Sequence, residues 1–332
     1  MSILKAAIIG CGHFGQRHAQ HISELKDELQ LVACCDIDEA KARMFSETYT
    51  AGRAAIYSNH HKMFDETSLD VVFICLPPFA HRDEVEQAAA HGVHILIEKP
   101  IALTSEAAWR MVEVSEQAGI KTQVGFMFRF GTAIEELKRL LDAGDTGPVG
   151  LMSTRYFCNA LHSPWWRDRS KSGGQLVEQV IHMFDLMRYV MGEPEAVFSR
   201  QENLFHRALS DYTVEDVSAT VVHFRSGALA VVYATNGAIP NKWINDYRLV
   251  AQRLTAEFTD ANNAVFYHTN EPERPPTHIE SARNYYIHEI QDLLNAIRTD
   301  GITRTPMREG AKSLDLVLAA NQSAEQGAEV KL

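Results

Sequence analysis

The chain has 332 residues, of which 45% are hydrophobic and 23% are charged, and this ordinary globular composition predicts two domains at this length. The formal net charge of -11 gives the chain no general attraction for nucleic acid or for an anionic membrane surface. No apolar run is long enough to span a bilayer, no charged-then-apolar leader opens the chain, and the five cysteines lack metal-ligand spacing, so we expect a reduced, cytoplasmic protein.

The first third of the chain alternates short apolar runs with helical stretches. Asp38 opens one of the intervening helical stretches, and Thr104 is placed to cap another. Continuous apolar strands separated by helices are typical of a parallel sheet that is buried on both faces, and such crossovers are right-handed. We therefore predict a doubly wound α/β domain over residues 1–123. The apolar runs cover residues 6–9, 29–35, 71–76, 94–97 and 122–124.

The pattern changes in the remainder of the chain, where strand-like runs follow one another without intervening helices. Arg225-Ser226-Gly227, between two of these runs, is typical of a hairpin turn. Consecutive strands predict a mostly antiparallel sheet, and hence an α+β domain over residues 124–332. The strand-like runs cover 217–224, 228–233 and 249–258, and the helical stretches cover 134–141, 175–191, 287–298 and 309–326.

A glycine-rich segment, Gly10-Cys11-Gly12-His13-Phe14-Gly15, follows the first strand and opens the first helix. Such a loop turns tightly, lets a pyrophosphate approach the backbone and offers it the free amides of the helix N-terminus. Asp36 ends the next strand, about 20 residues on, where an acid can accept hydrogen bonds from ribose hydroxyls. Because Asp36 would repel a 2′-phosphate and Ile37 supplies no cation, we predict NAD rather than NADP. The alternative is a glycine-rich turn without a ligand.

Glu98-Lys99-Pro100 comes at the carboxyl end of a parallel strand, where doubly wound folds bind their ligands. A partly desolvated ammonium at this place can have a pKa near neutrality, so Lys99 could exchange a proton with a reacting oxygen. The alternative is a surface lysine that is balanced by Glu98.

Three polar residues share one face of an otherwise apolar helix. Glu178, His182 and Asp185 are spaced i, i+4 and i+7 after Gly173-Gly174. His182 is the natural proton acceptor near neutral pH, and a neighbouring carboxylate would orient it. The alternative is a structural histidine that Glu178 satisfies.

These motifs together resemble the Gfo/Idh/MocA oxidoreductase family over nearly the whole chain. The resemblance implies an N-terminal Rossmann domain that binds NAD(P), a second domain with a large open sheet, and a homodimer or homotetramer. It implies a catalytic lysine at Lys99, a catalytic histidine at His182 and its paired acid at Glu178. The acid is usually aspartate in this family, and the glutamate side chain is longer. The cofactor contacts that we predict are Gly10, Gly12, His13, Phe14, Gly15, Asp36, Pro77, His81, Glu98 and Lys99.

The activity that the resemblance implies is an NAD-dependent dehydrogenase. A hydride would pass between nicotinamide and a CH–OH carbon of a sugar, inositol or related polyol. His182, backed by Glu178, would accept the hydroxyl proton, and Lys99 would polarise the developing carbonyl oxygen. The alternatives are a glycoside hydrolase that uses tightly held NAD for transient oxidation, and a non-catalytic NAD-bound sensor, against which the presence of Lys99 and His182 argues.

Weaker candidates flank these motifs. We expect the substrate to contact Arg129, Trp166, Arg167 and Asp185, although an aromatic lid packing on its own domain would explain Trp166 equally well. The histidine pairs His60-His61 and His18 with His21 could suggest a metal. No carboxylate or cysteine completes either set in the sequence, so no metal is expected.

Overall fold

The computed structural model describes residues 2–332, and these residues form two compact units. The first unit extends to Gly125 and also contains Tyr286–Ala311. The second unit consists of Phe126–Tyr285 and Lys312–Leu332.

The first unit is built on a six-stranded, wholly parallel sheet, which confirms the predicted doubly wound architecture. The strands are β1 Leu4–Ile9, β2 Leu29–Cys35, β3 Ala55–Tyr57, β4 Val71–Ile74, β5 His94–Ile97 and β6 Thr122–Val124. Their order is β3-β2-β1-β4-β5-β6. The direction of winding therefore reverses between β1 and β4, and doubly wound folds bind ligands at the carboxyl edge beside such a reversal.

Five helices connect these strands: α1 His13–Glu24, α2 Glu39–Thr50, α3 His60–Glu66, α4 Glu84–Ala90 and α5 Ser105–Gln117. The Asp38 side chain accepts a hydrogen bond from the Ala40 amide, and the Thr104 hydroxyl accepts one from the Ala107 amide. The predicted helix start at Asp38 and the predicted cap at Thr104 are thus confirmed. A short 3₁₀ turn, Pro78–Ala80, follows β4.

The second unit contains a nine-stranded sheet of order β14-β13-β12-β11-β7-β10-β9-β8-β15. It is mostly antiparallel, as predicted, with one parallel pair formed by β7 and β10. The strands are β7 Val149–Phe157, β8 Pro194–Glu202, β9 Val217–Phe224, β10 Leu229–Thr235, β11 Tyr247–Ala251, β12 Leu254–Phe258, β13 Ala264–His268, β14 Thr277–Ile279 and β15 Val330–Lys331.

The remaining helices are α6 Thr132–Asp142, α7 Pro164–Arg167, α8 Arg169–Ser172, α9 Ile181–Met191, α10 Tyr285–Thr299 and α11 Met307–Gln326. A 3₁₀ turn, Met127–Phe130, precedes α6, and a π-helical turn, Leu176–Val180, leads into α9. None of the helices within residues 2–332 combines the length and the apolar character that a bilayer crossing requires.

Two sequence-based boundaries were wrong. The run at 249–258 is a hairpin of β11 and β12, because the chain reverses at Gln252, whose amide donates to the Pro148 carbonyl. The assignment of all residues after 123 to the second domain misplaced α10. Its residues Ile290, Leu293 and Leu294 are buried in the core of the first unit. The amphipathic pattern of a helix shows which face is buried but not which core it joins.

Candidate functional site

The glycine loop lies between β1 and α1, and two of its glycines are required by the fold itself. Gly10 has a φ of +94°, and a Cβ there would lie 2.5 Å from the Cys75 carbonyl oxygen. A Cβ on Gly15 would overlap the Gly10 carbonyl oxygen. At Gly12 a Cβ would meet no atom within 4 Å, so the backbone there borders open space. This open backbone at the start of α1 fits the pyrophosphate of a dinucleotide.

Asp36 ends β2 directly beside this loop. Its Oδ2 accepts a hydrogen bond from the Cys11 amide at 2.8 Å, and its Oδ1 accepts one from the Asp38 amide at 2.9 Å. Each carboxylate oxygen can accept more than one hydrogen bond, so these bonds leave acceptor capacity for ribose hydroxyls. The neighbouring Ile37 is 94% exposed and brings no positive charge. The arrangement fits NAD.

The segment after β4 carries two further predicted cofactor contacts, Pro77 and His81. Pro77 precedes the 3₁₀ turn, and the His81 side chain is buried. His81 Nδ1 lies 3.9 Å from Glu84 Oε2, and neither ring nitrogen has a hydrogen-bond partner among residues 2–332. This segment therefore holds a buried imidazole at the carboxyl edge of the sheet.

Lys99 follows β5 at the same edge, and it is not a surface lysine, since only 9% of it is exposed. The Glu98 carboxylate lies inside the unit, where its Oε1 is 2.8 Å from His18 Nε2. A Cβ on Gly125 would lie 2.8 Å from Glu98 Oε2, so the glycine makes room for this carboxylate. The contact between Glu98 and His18 stabilises the end of β5, which Lys99 follows. It also corrects the expectation that no carboxylate accompanies His18.

The helix that bears His182 starts at a buried carboxylate that the sequence did not reveal. Glu215 Oε1 accepts a hydrogen bond from the Leu176 amide at 3.1 Å, and its Oε2 accepts one from Arg169 Nη1 at 3.0 Å. Gly174, with a φ of +98°, allows this contact, because a Cβ there would lie 2.6 Å from Glu215 Oε2. Burial raises the pKa of Glu215, and Arg169 opposes that shift.

The turn that carries Glu178 is π-helical rather than α-helical, which corrects the regular helix expected from residue 175. π-helical turns inside helices are frequent at functional sites. Glu178 Oε2 accepts a hydrogen bond from Trp166 Nε1 at 2.7 Å. His182 is buried, with the Phe128 ring 5.3 Å and the Phe126 ring 6.2 Å from its own.

The four expected substrate contacts take part in internal interactions of the second unit. Arg129 donates to both carboxylate oxygens of Asp185, at 2.8 and 2.6 Å, and both residues are buried. Trp166 packs in a small buried cluster, and Arg167 donates to the Leu161 carbonyl and to Asp211. The buried bidentate pair holds both side chains against each other, and their contact with a substrate stays a prediction.

Known proteins resemble both units. The sequence model of the oxidoreductase family with an NAD-binding Rossmann fold (Gfo/Idh/MocA) matches residues 4–126, and the model of the Gfo/Idh/MocA C-terminal domain matches residues 134–257. The chain belongs to the Gfo/Idh/MocA family. It is therefore an NAD-dependent oxidoreductase, as predicted.

Individual relatives match from end to end. The myo-inositol 2-dehydrogenase of Thermotoga maritima is 26% identical over 99% of this chain and 98% of that protein. The D-glucoside 3-dehydrogenase of Escherichia coli is 26% identical over 100% and 98%. The crystal structure of aldose-aldose oxidoreductase from Caulobacter crescentus, complexed with glycerol, superposes with a TM-score of 0.87 at 25% identity and covers both chains completely.

Lys99 belongs to the first unit, whereas Glu178 and His182 belong to the second, and their convergence on one substrate stays a prediction. Sequence reasoning missed Glu215, the pairing of His18 with Glu98, and Asp83, which lies beside His60 and His61. Each meets its partner through the fold, and no local motif signals the contact.

Proposed function

We propose that this chain is an NAD-dependent dehydrogenase of a sugar, an inositol or a related polyol. The observation that supports this most strongly is a Rossmann unit with a buried lysine at its carboxyl edge, in a chain that matches an inositol dehydrogenase over its whole length. The relatives act on cyclic polyols and glycosides, and this supports a small polyhydroxylated substrate.

The residues divide into those that would hold the cofactor and those that would manage protons. Gly10, Gly12, Gly15 and Asp36 would hold NAD, which supplies the hydride chemistry when it is bound. His182 accepts the proton of the substrate hydroxyl, and the Lys99 ammonium donates a hydrogen bond to the same oxygen as it becomes a carbonyl.

Glu178 orients His182 in this proposal. Its Oε2 is fixed by the indole N–H of Trp166, which is buried and packs against Tyr212 and Val214. This hydrogen bond holds the end of the Glu178 side chain, which is longer than that of the usual aspartate. The other carboxylate oxygen, Oε1, can then be directed toward the His182 imidazole. Trp166 is then a positioning residue for the acid rather than a platform for the substrate.

Replacement of the two proton-transfer groups tests the proposal. We expect Lys99→Ala and His182→Ala each to lower kcat by roughly 100- to 10,000-fold, because positioned acid–base groups contribute about that much. NAD binding, followed by calorimetry, should persist in both variants. Lys26→Ala and His91→Ala, which alter a lysine and a histidine outside the proposed site, should retain turnover. Near-normal kcat in either active-site variant would remove that residue from the mechanism.

The reaction class is settled by a product measurement. Polyols, aldoses and their acids are supplied with NAD, and NADH fluorescence is followed. Stoichiometric NADH supports the dehydrogenase. Release of nitrophenol from a nitrophenyl glycoside without net NADH would instead identify a hydrolase that oxidises its substrate transiently.

The exposed face of the nine-stranded sheet supports a homodimer or homotetramer. Leu151, Val221, Leu229, Tyr233 and Val250 are all large apolar residues on its strands, and each is more than a third exposed. Apolar patches of this kind mark protein interfaces. Light scattering should therefore give a mass at least twice the 37.3 kDa of one chain.

All five cysteines are free, which favours the proposed cytoplasmic location, and cell fractionation checks it.

A further inference from the structure

His60 and His61 lie against a carboxylate that is distant in sequence, that of Asp83 at the start of α4 in the first unit. His60 Nε2 is 2.8 Å from Asp83 Oδ1, and His61 Nε2 is 2.9 Å from Asp83 Oδ2. The sequence-based expectation of no metal assumed that no carboxylate completes this pair, and that assumption was wrong. We propose that His60, His61 and Asp83 form a binding site for a divalent transition metal ion, of which Zn²⁺ is the best match.

The three ligand atoms already have nearly the spacing that a metal needs. One ring nitrogen from each histidine and one carboxylate oxygen all lie within 4.8 Å of one another. Ligands about 2.1 Å from a tetrahedral zinc ion are about 3.4 Å apart. The contacts of Asp83 Oδ1 with His60 and His61, at 2.8 and 3.2 Å, therefore need to open by about 0.6 and 0.2 Å. The ion would take the place of the direct contacts between the two imidazoles and Asp83, and a water molecule would complete the coordination.

Rigid backbone positions the three ligands. His60 and His61 are the first residues of α3, whose N-terminus is capped by Asn59, with Oδ1 accepting from the His61 amide at 2.8 Å. Asp83 immediately precedes α4. Gln87, one turn into α4, donates to Asp83 Oδ2 at 3.2 Å and orients the carboxylate, as residues behind metal ligands commonly do.

The exposure and the chemistry of the donors favour a transition metal that enters from solvent. The His60 side chain is 15% exposed, that of His61 48% and that of Asp83 39%, so an ion can reach all three. Imidazole nitrogen selects zinc and its neighbours over Mg²⁺ and Ca²⁺, which prefer oxygen ligands. The cysteines compete poorly, because burial raises the pKa of Cys34, Cys35 and Cys158 to about 12 and keeps them as thiols.

Calorimetric titration of the untagged, full-length chain with zinc chloride, after dialysis against a chelator, tests the site. We expect one high-affinity ion per chain. His60→Gln, His61→Gln and Asp83→Asn should each weaken that binding at least tenfold. His91→Gln is the matched control, because His91 contacts a single carboxylate, that of Asp65 at 3.4 Å, and should leave the affinity unchanged.

Two further measurements separate loss of the site from loss of the fold. Thermal unfolding in the absence of metal should be similar in the wild type and the variants, and zinc should raise Tm in the wild type and His91→Gln only. Cobalt bound to the wild type should give the visible absorption of a four-coordinate ion. Absence of binding at millimolar zinc, or equal affinity in the wild type and all three ligand variants, would overturn the proposal.

Discussion

Asp36 is tied to the glycine loop by its own hydrogen bonds, in addition to the ribose contact that we propose for it. The bond from the Cys11 amide fixes the carboxylate beside Gly10 and Gly12. Removal of the Asp36 side chain therefore has two effects at once: it removes a negative charge and it loosens the glycine loop. A test of cofactor preference has to distinguish these two effects.

The double replacement Asp36→Ser with Ile37→Arg should shift the preference from NAD toward NADP. The ratio of kcat/KM values for NAD and NADP should fall by roughly 10- to 100-fold, because hydrogen bonds to a charged group contribute about 1.5–3 kcal/mol. Asp36→Asn is the control, since its side-chain oxygen can still accept from the Cys11 amide without the charge. An unchanged ratio in the double variant would show that Asp36 does not select the cofactor.

At the residue scale, the sequence predicted what depends on local spacing. The helix starts at Asp38 and Thr104 depend on near neighbours and form as predicted, whereas Gly10 is required by its approach to the distant Cys75 carbonyl. Partners that lie far apart in sequence could not be predicted. His18 meets Glu98 across 80 residues and Leu176 meets Glu215 across 39, and no periodicity encodes such contacts.

At the scale of elements, the start of the His182 helix depends on one backbone position. Gly174 brings the chain against the Glu215 carboxylate, which holds the first turn through the Leu176 amide. Gly192, just after α9, has a similarly positive φ of +93°, but a Cβ there would meet no atom within 4 Å. A comparison of Gly174 with Gly192 can therefore separate the cost of a positive φ from the cost of a steric contact with Glu215.

Gly174→Ala should destabilise the protein more than Gly192→Ala. Both variants carry the cost of a residue with positive φ, on the order of 1–3 kcal/mol, and only Gly174→Ala adds a collision with Glu215. Because that collision displaces the turn of Glu178, kcat should fall in Gly174→Ala alone. Urea unfolding and steady-state rates measure both effects, and equal losses in the two variants would show that the Glu215 contact is unimportant.

Strand prediction succeeded where side chains alternate and failed where pairing is distant. The residues of β9 were predicted with their observed bounds, and every second one of them is buried. β7 was missed, although it lies inside the second sheet, because it contains several polar residues and pairs with the distant β10 and β11. The β11–β12 hairpin was merged into one strand because its short turn hardly interrupts the apolar pattern.

At the scale of the whole molecule, the two units are interleaved in sequence. The first unit is completed by Tyr286–Ala311, which the chain reaches only after most of the second unit. Within that segment, Ile290, Leu293 and Leu294 are fully buried in a core shared with Leu29 and Phe73. The family resemblance identified both units, but it could not show this return of the chain.

A fragment of residues 1–125 should therefore not fold stably. It lacks three large apolar side chains that each contribute about 1.5–3 kcal/mol, which together approach the total stability of a typical domain. Joining residues 286–311 to it through a flexible linker should restore cooperative unfolding. Circular dichroism during urea titration compares the two fragments, and a cooperative transition in the shorter one would contradict this account of α10.

The interleaving also affects how the protein is made. Domains usually fold one after another as they leave the ribosome, at about 5–20 residues per second. The glycine loop and Asp36 emerge early, but the helix that completes their unit emerges on the order of 10–40 s after Gly125. During that interval we expect the nascent chain to expose part of a hydrophobic core and to need chaperone protection. Protease digestion of ribosome-stalled chains that end before and after residue 311 would measure this directly.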